Sequence, residues 1–481
     1  MKPYFFAILL LSMACQSTQP VSSPSLQEMV ETSLTPRLYL TNRPSETHTI
    51  EDRMAYYQVP GLSIAVIEKG AIAWSKGYGL ANTDTKLAVN TETLFQAGSI
   101  SKPLAALGAL HLVQNGKIGL DEDVNQYLQG WQIEENPFTS MEKITLRRLL
   151  THTAGLTVHG FPGYTFEEEI PSVVDVLDGK GNTAAILPDT TPGVIWRYSG
   201  GGYTVMQKLV EDLSGEPFED YVQREVLTPL GMLSSTYEQP LPESMHARAS
   251  AAFDSKGEMA EGLWNNYPEK AAAGLWTTPT ELAYYLIEMQ QAYAGSSSKV
   301  LNQDMTRQML TKHKNDWGLG PSLNLDGDSL MFGHGGKNRG FTNNMTAFVH
   351  GGSGAIVMTN ADRGGPLINE IMRAISQHYD WGLFQQDTME VIDMKAEELA
   401  RFAGEYQLDT GDSDPLLFEM QVDGDGLHVV GTNNDNEFIL LPQTEMDFFD
   451  TEDGMVTTFL EDETGKITGL KTPWVELQKV R

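Results

Sequence analysis

Two apolar, β-branched stretches at either end of a long helical span limit what this chain can fold into. Leu62-Ser-Ile-Ala-Val-Ile67 turns at Lys69-Gly70 into Ala71-Ile-Ala-Trp-Ser75, which predicts a two-stranded hairpin. Far down the chain, residues 343–349 and 355–359 flank a glycine-rich turn, His350-Gly-Gly352, and predict a second hairpin, followed by a helix over residues 367–378. The span between reads mostly as helix and loop. Residues 144–150 end at Gly155, residues 218–227 stop at Pro229 and Gly231, and Thr278-Pro-Thr-Glu281 is a capping box opening a helix through Gln290. Before the first hairpin, a helix-like segment runs to Gln58 and is punctuated by Pro60-Gly61. Strands, then helices, then strands, then a helix give an α+β fold, with an antiparallel sheet closed by both chain ends, flanking helices and a helical insertion.

The pattern changes beyond about residue 390. Short strand candidates at residues 404–406, 416–420, 427–430, 438–441, 455–459 and 467–470 are separated by Asp-Gly and Asn/Asp turns. This predicts a small acidic all-β domain, a barrel, without a catalytic constellation. The expected organisation is residues 1–25 as signal and flexible tether, 26–385 as the main domain and 390–481 as the small β-barrel domain.

Charge and cysteine usage narrow the function classes. The 481-residue chain carries a net charge of −31, which argues against nucleic acid or an anionic membrane surface as the main partner. At the N-terminus, Lys2 precedes an apolar core from Tyr4 to Leu11, and the chain's single cysteine, Cys15, follows at once. This reads as an export signal and resembles a bacterial lipoprotein signal, with Cys15 lipidated and the protein held in the cell envelope or periplasm. With that thiol acylated, disulfides, thiol catalysis and cysteine-based metal sites are excluded, and the histidines show no metal-ligand spacing.

The chemistry concentrates at Phe95-Gln-Ala-Gly-Ser-Ile-Ser-Lys-Pro103. Ser99 and Lys102 lie three apart where a turn opens a helix, which places an amine within reach of a hydroxyl, while Ser101 faces away. Ser140-Met-Glu-Lys143 and Ser296-Ser-Ser-Lys299 have the same spacing, but in a polar turn and a Gly/Ser-rich loop. Two further segments qualify as partners: Trp196-Arg-Tyr-Ser-Gly-Gly-Gly-Tyr203, with Tyr198 beside a glycine-rich turn, and Phe332-Gly-His-Gly-Gly-Lys-Asn-Arg-Gly-Phe341. Each alone also reads as ordinary packing or a tight turn. His152 and His159 read as structural or surface residues.

Together these segments resemble the serine β-lactamase and penicillin-recognising superfamily, in the branch of class C β-lactamases, D-peptidases and esterases. Ser99-Ile-Ser-Lys102 matches its Ser-x-x-Lys, Tyr198-Ser-Gly200 stands at its Tyr-x-Asn, and His334-Gly-Gly336 stands at its Lys-Thr-Gly. The C-terminal part resembles the lipocalin-like domain that some members carry. The resemblance implies acyl transfer through an acyl-enzyme, with Ser99 as nucleophile and Lys102 and Tyr198 moving its proton, and no metal or organic cofactor. It further implies an oxyanion hole from the backbone N–H groups of Ser99 and Lys337, and substrate contacts from His334, Gly336, Lys337 and Arg339.

Two departures shape the expected substrate. Gly200 removes an amide side chain, and His334 replaces a charged lysine with a mostly neutral imidazole that grips a carboxylate less well. The expectation is an exported serine hydrolase acting on small esters or amides. A D-amino-acid peptidase or weak β-lactamase, and a catalytically silent binding protein, are the alternatives.

Overall fold

The computed structural model describes residues 24–44, 46–409, 415–434 and 436–480. The expected signal and Cys15 lie outside the described residues. The two predicted hairpins meet in one seven-stranded sheet. Its strands are β1 (Gly61–Glu68), β2 (Ala71–Asn82), β3 (Leu87–Ala88), β4 (Ser322–Asn324), β5 (Met331–Asn338), β6 (Phe341–Phe348) and β7 (Gly354–Thr359), in the order β3-β2-β1-β7-β6-β5-β4. Antiparallel pairing of β1 with β7 joins the chain ends, with Val357 opposite Ile64 on one side and Asn344 on the other.

β1 is buried along nearly its whole length because both faces of the sheet are covered, which explains its unbroken apolar run. Successive side chains point to opposite faces. Leu62, Ile64 and Val66 join Val357 and the apolar side of a C-terminal helix in one core cluster, while Ala65 and Ile67 join the larger core on the other face.

Four helices matter for the site: α1 (Ser101–Gln114), α2 (Gly200–Ser214), α3 (Lys270–Ala273) and α4 (Gly364–His378). α4 covers the first face of the sheet, and α1 to α3 lie in the helical insertion on the other. The segment read as helix-like up to Gln58 is instead two helices, Leu26–Thr32 and Ile50–Tyr57, around a strand, Leu38–Leu40, that pairs in parallel with Asp387–Met389. Pro36 and Pro44 break the helical run between them. The glycine-rich turn expected after Tyr198 is in fact the first turn of α2, capped by Ser199.

The C-terminal part is a closed eight-stranded antiparallel barrel between Gly404 and Lys479, completed by pairing of the first and last strands at Tyr406 and Lys479. It has its own core, which includes Phe402, Phe448 and Phe459. Two of its strands, Asp447–Asp450 and Glu476–Lys479, fell outside the expected set.

Candidate active site

Ser99 occupies a single 3-10 turn, Gly98–Ile100, that runs directly into α1. Pro103 has no N–H to lose in this first turn. Gly98 is required twice over. Its φ is +56°, and a Cβ there would lie 2.5 Å from the Lys337 backbone nitrogen. Gly336 is equally constrained, since a Cβ would stand 2.0 Å from the Ala97 carbonyl oxygen. These two glycines let β5 press against the Ser99 turn, with the Lys337 backbone nitrogen beside Gly98.

Lys102 Nζ lies 3.0 Å from Ser99 Oγ and donates to the Ala272 carbonyl on α3 at 2.8 Å. The ammonium would also stand over the Tyr198 ring, 4.9 Å from its centroid. Burial with no neighbouring carboxylate disfavours the charged form, so the lysine pKa falls from 10.5 to about 7. Ser101 does face away: its Oγ donates to Gly98 O and accepts from Leu275 N. Neither decoy forms a serine–lysine pair. Ser140 bonds Pro137 O and Ser296 bonds Gln291 O, while Lys143 pairs with Glu135.

The Tyr198 side chain lies near Ser99, and its hydroxyl oxygen is buried with no hydrogen-bond partner. Burial pushes the Tyr198 pKa up, so the phenol stays protonated. His334 lies edge-on to Trp317 at 5.4 Å and beside Tyr198 at 6.1 Å. Burial first, then the nearby Lys102, lowers its pKa from 6.5 to about 3, so the imidazole is neutral.

Gly336 presents only its backbone beside the Ser99 turn. The Lys337 side chain is turned away from Ser99 and held by Asp362, 3.7 Å from its carboxylate. Arg339 is exposed at the β5–β6 turn, with its backbone nitrogen donating to the Tyr267 hydroxyl at 3.1 Å. Of the expected substrate contacts, His334, Gly336 and Lys337 lie on β5, with Gly336 and the Lys337 nitrogen against the Ser99 turn, Arg339 is exposed at the β5–β6 turn, and the Lys337 ammonium lies by Asp362.

Sequence reasoning passed over several residues of this site. His152 is buried and stacks on Tyr198 at 4.3 Å, and its Nδ1 accepts from Ser199 N, which fixes the tautomer with the proton on Nε2. Trp317 packs edge-on against His152 and closes the ring of side chains around Tyr198. His159 is exposed, with Nδ1 at the Tyr198 carbonyl oxygen. Glu269, at the start of α3, is fully buried with both carboxyl oxygens unpartnered, and burial raises its pKa to about 7. Of these, the sequence singles out only His152 and His159, and only as structural or surface residues. Among the described residues, no cluster of His, Cys, Asp and Glu is arranged to hold a metal ion.

A serine and an amine meet beside a phenol, next to β5 of an antiparallel sheet, as the resemblance to the β-lactamase family implies. The Beta-lactamase family model matches residues 47–378, and the chain belongs to that family. Membership and fold point to a serine hydrolase.

Among its relatives, protein flp of Staphylococcus aureus is 26% identical over 234 residues, covering 48% of this chain and 44% of that one. The putative penicillin-binding protein PbpX of Bacillus subtilis is 30% identical over 194 residues, 37% of this chain and 42% of that one. The matched part thus spans less than half the length of these curated relatives. In fold, the chain is similar to the octameric penicillin-binding protein homologue from Pyrococcus abyssi, with a TM-score of 0.60, 22% identity and coverage of 89% of this chain and 98% of that one. It is also similar to SurE determined with D-Leu, with a TM-score of 0.56 and 21% identity over 90% and 97% of the two chains.

Proposed function

We propose that this protein hydrolyses small esters or amides through an acyl-enzyme on Ser99. The observation that carries the reading is Lys102 Nζ at 3.0 Å from Ser99 Oγ, with the lysine pKa lowered to about 7. A neutral amine at that distance is a competent general base at neutral pH. Lys102 takes the Ser99 proton as Oγ attacks the carbonyl. The proton then passes to the leaving group through the Tyr198 hydroxyl, which stays neutral throughout. The Ser99 and Lys337 backbone N–H groups hold the oxyanion. In the second half, a water attacks the ester, its proton goes to Lys102, and Ser99 Oγ leaves with a proton.

The charge near Ser99 favours substrates without a carboxylate. His334 is neutral, and the exposed Lys337 ammonium lies 3.7 Å from the Asp362 carboxylate. Wild type and Ser99→Ala, assayed on p-nitrophenyl butyrate and a chromogenic cephalosporin, test the reading. Ester turnover that disappears in the variant, with the cephalosporin spared, is expected. Turnover that survives Ser99→Ala overturns it.

Arg339 supports a second reading, a D-amino-acid peptidase, because its exposed guanidinium sits at the rim of the site. On that reading Arg339→Ala raises KM for a D-Ala-D-Ala peptide, and an unchanged KM contradicts it. Export and lipidation at Cys15 complete the proposal, and a mass spectrum of the mature protein tests them by showing a diacylated cysteine or an intact N-terminus.

A further inference from the structure

On the face of α4 turned away from Ser99, a solvent-open cleft of about 500 Å³ lies between the N-terminal arm, the last turns of α4 and the segment leading to the Asp387–Met389 strand. Arg373 lines it and is only 8% exposed. Its Nη1 donates to the Thr35 carbonyl at 2.8 Å, and its Nε is buried with no partner. Among the described residues Arg373 makes no ion pair.

The nearby carboxylates are already taken. Glu370 is held by Arg53 at 2.7 and 2.6 Å and by the Tyr57 hydroxyl at 2.8 Å. Asp387 is held by Arg37 at 2.9 Å. Asp380 stands exposed on the rim, unbonded to Arg373. Arg373 thus has Glu370 and Asp387 as charged neighbours, both engaged by other arginines, and its own buried guanidinium forms an ion pair with neither. A buried, unpaired charge is costly and is retained where something neutralises it.

We propose that this cleft is a binding site for a small oxyanion, a phosphate or carboxylate group, held by Arg373. Arg373 lines the cleft with its Nε unpartnered, and a guanidinium fork on the two oxygens of such a group is the strong form of this contact. Tyr39 and Thr388 also line the cleft. Because the walls come from the N-terminal arm, α4 and the chain leading into the barrel, a bound anion ties these three together. The site is independent of the chemistry at Ser99.

The test is thermal unfolding of the full chain in sodium phosphate against sodium chloride at equal ionic strength and pH. Wild type is expected to gain a few °C, saturating with phosphate, because a ligand bound only to the folded state stabilises it by mass action. Arg373→Met removes the gain. Thr388→Glu, on an exposed strand position, places a carboxylate in the anion's stead, so it removes the gain while leaving ester turnover intact. Should Arg373→Met fail to fold, Thr388→Glu and line broadening of the ³¹P signal of inorganic phosphate by wild type still decide. Equal gains in wild type and Thr388→Glu, or no gain over chloride in wild type, overturn the proposal.

Discussion

Two buried titratable groups, Lys102 beside Ser99 and Glu269 at the start of α3, are displaced in opposite directions, and both make testable demands. Lys102 is depressed from 10.5 to about 7, so between those values the unfolded chain binds a proton that the folded chain does not. Its penalty on stability is therefore full below about pH 7 and fades as pH rises toward 10.5. Lys102→Met leaves the Ala272 carbonyl without its donor, a cost of about 1–3 kcal/mol. Against that stands about 1.4 kcal/mol for each unit of depression. The variant is thus expected to melt higher than wild type at pH 7, by a margin that shrinks toward pH 10, while ester turnover falls by ~10²–10⁴-fold. Parallel melts and kinetics across pH check both halves.

Glu269 carries the reverse sign. Its pKa is raised from 4.5 to about 7, so its penalty is absent below about 4.5, grows through that window and is constant above it. Glu269→Gln is expected to stabilise the protein by a margin that opens between those two values and then holds, read from urea unfolding at pH 4, 6 and 8. A margin that is the same at all three contradicts the raised carboxyl.

At the scale of elements, the site depends on how closely β5 can approach the Ser99 turn. Gly98→Ala places a methyl 2.5 Å from the Lys337 nitrogen at a φ of +56°. The strain of the left-handed backbone alone is about 1–2 kcal/mol, and the clash adds to it and forces the strand away. Gly116→Ala, at a φ of +68° with nothing within 4 Å, meets the strain alone. The first is expected to destabilise more and to abolish ester turnover, and the second to cost about 1–2 kcal/mol with turnover kept. Chemical denaturation and kinetics on the pair separate the two effects.

The elements also show where sequence pattern reached and where it stopped. β1, β6 and β7 were legible because short apolar runs bounded by turn residues have few other readings. Ser99 and Lys102 were legible because their spacing is local. The first turn of α2 was read as a loop because three glycines disfavour a helix, yet two of them, Gly200 and Gly201, stand there because the space is taken. A Cβ on Gly201 would meet the Thr157 carbonyl oxygen at 2.7 Å, and one on Gly200 would meet the Phe161 ring at 2.8 Å. Glu269, in Tyr267-Pro-Glu-Lys270, has the appearance of a solvated charge, and only tertiary packing buries it. The Asp447–Asp450 strand was hidden because its acidic ends resemble a turn, although Phe448 and Phe449 point into two cores.

For the whole molecule, the barrel is docked through a small cluster of its own. Leu38 from the N-terminal arm and Val391 from the linker pack with Leu441 and Phe449 of the barrel. Arg43 with Asp425, and Arg363 with Glu452 at 3.8 Å, add exposed ion pairs of little individual weight. Phe449→Ala removes a fully buried ring, at a cost of about 3–5 kcal/mol. It is expected to loosen the barrel and expose the linker to limited proteolysis while leaving Ser99-dependent turnover in place. Turnover that is lost together with docking would instead make the barrel part of the catalytic unit.

The central claim is that a neutral Lys102 activates Ser99. The most direct measurement is labelling of the folded protein by a serine-directed phosphonate, followed by peptide mass spectrometry across pH 5.5 to 9. The account predicts one adduct, on Ser99, at a rate that rises through about pH 7 and levels off above it, and none in Lys102→Met. An adduct elsewhere, no adduct at any pH, or a Ser99 rate indifferent to pH and to Lys102 would contradict it.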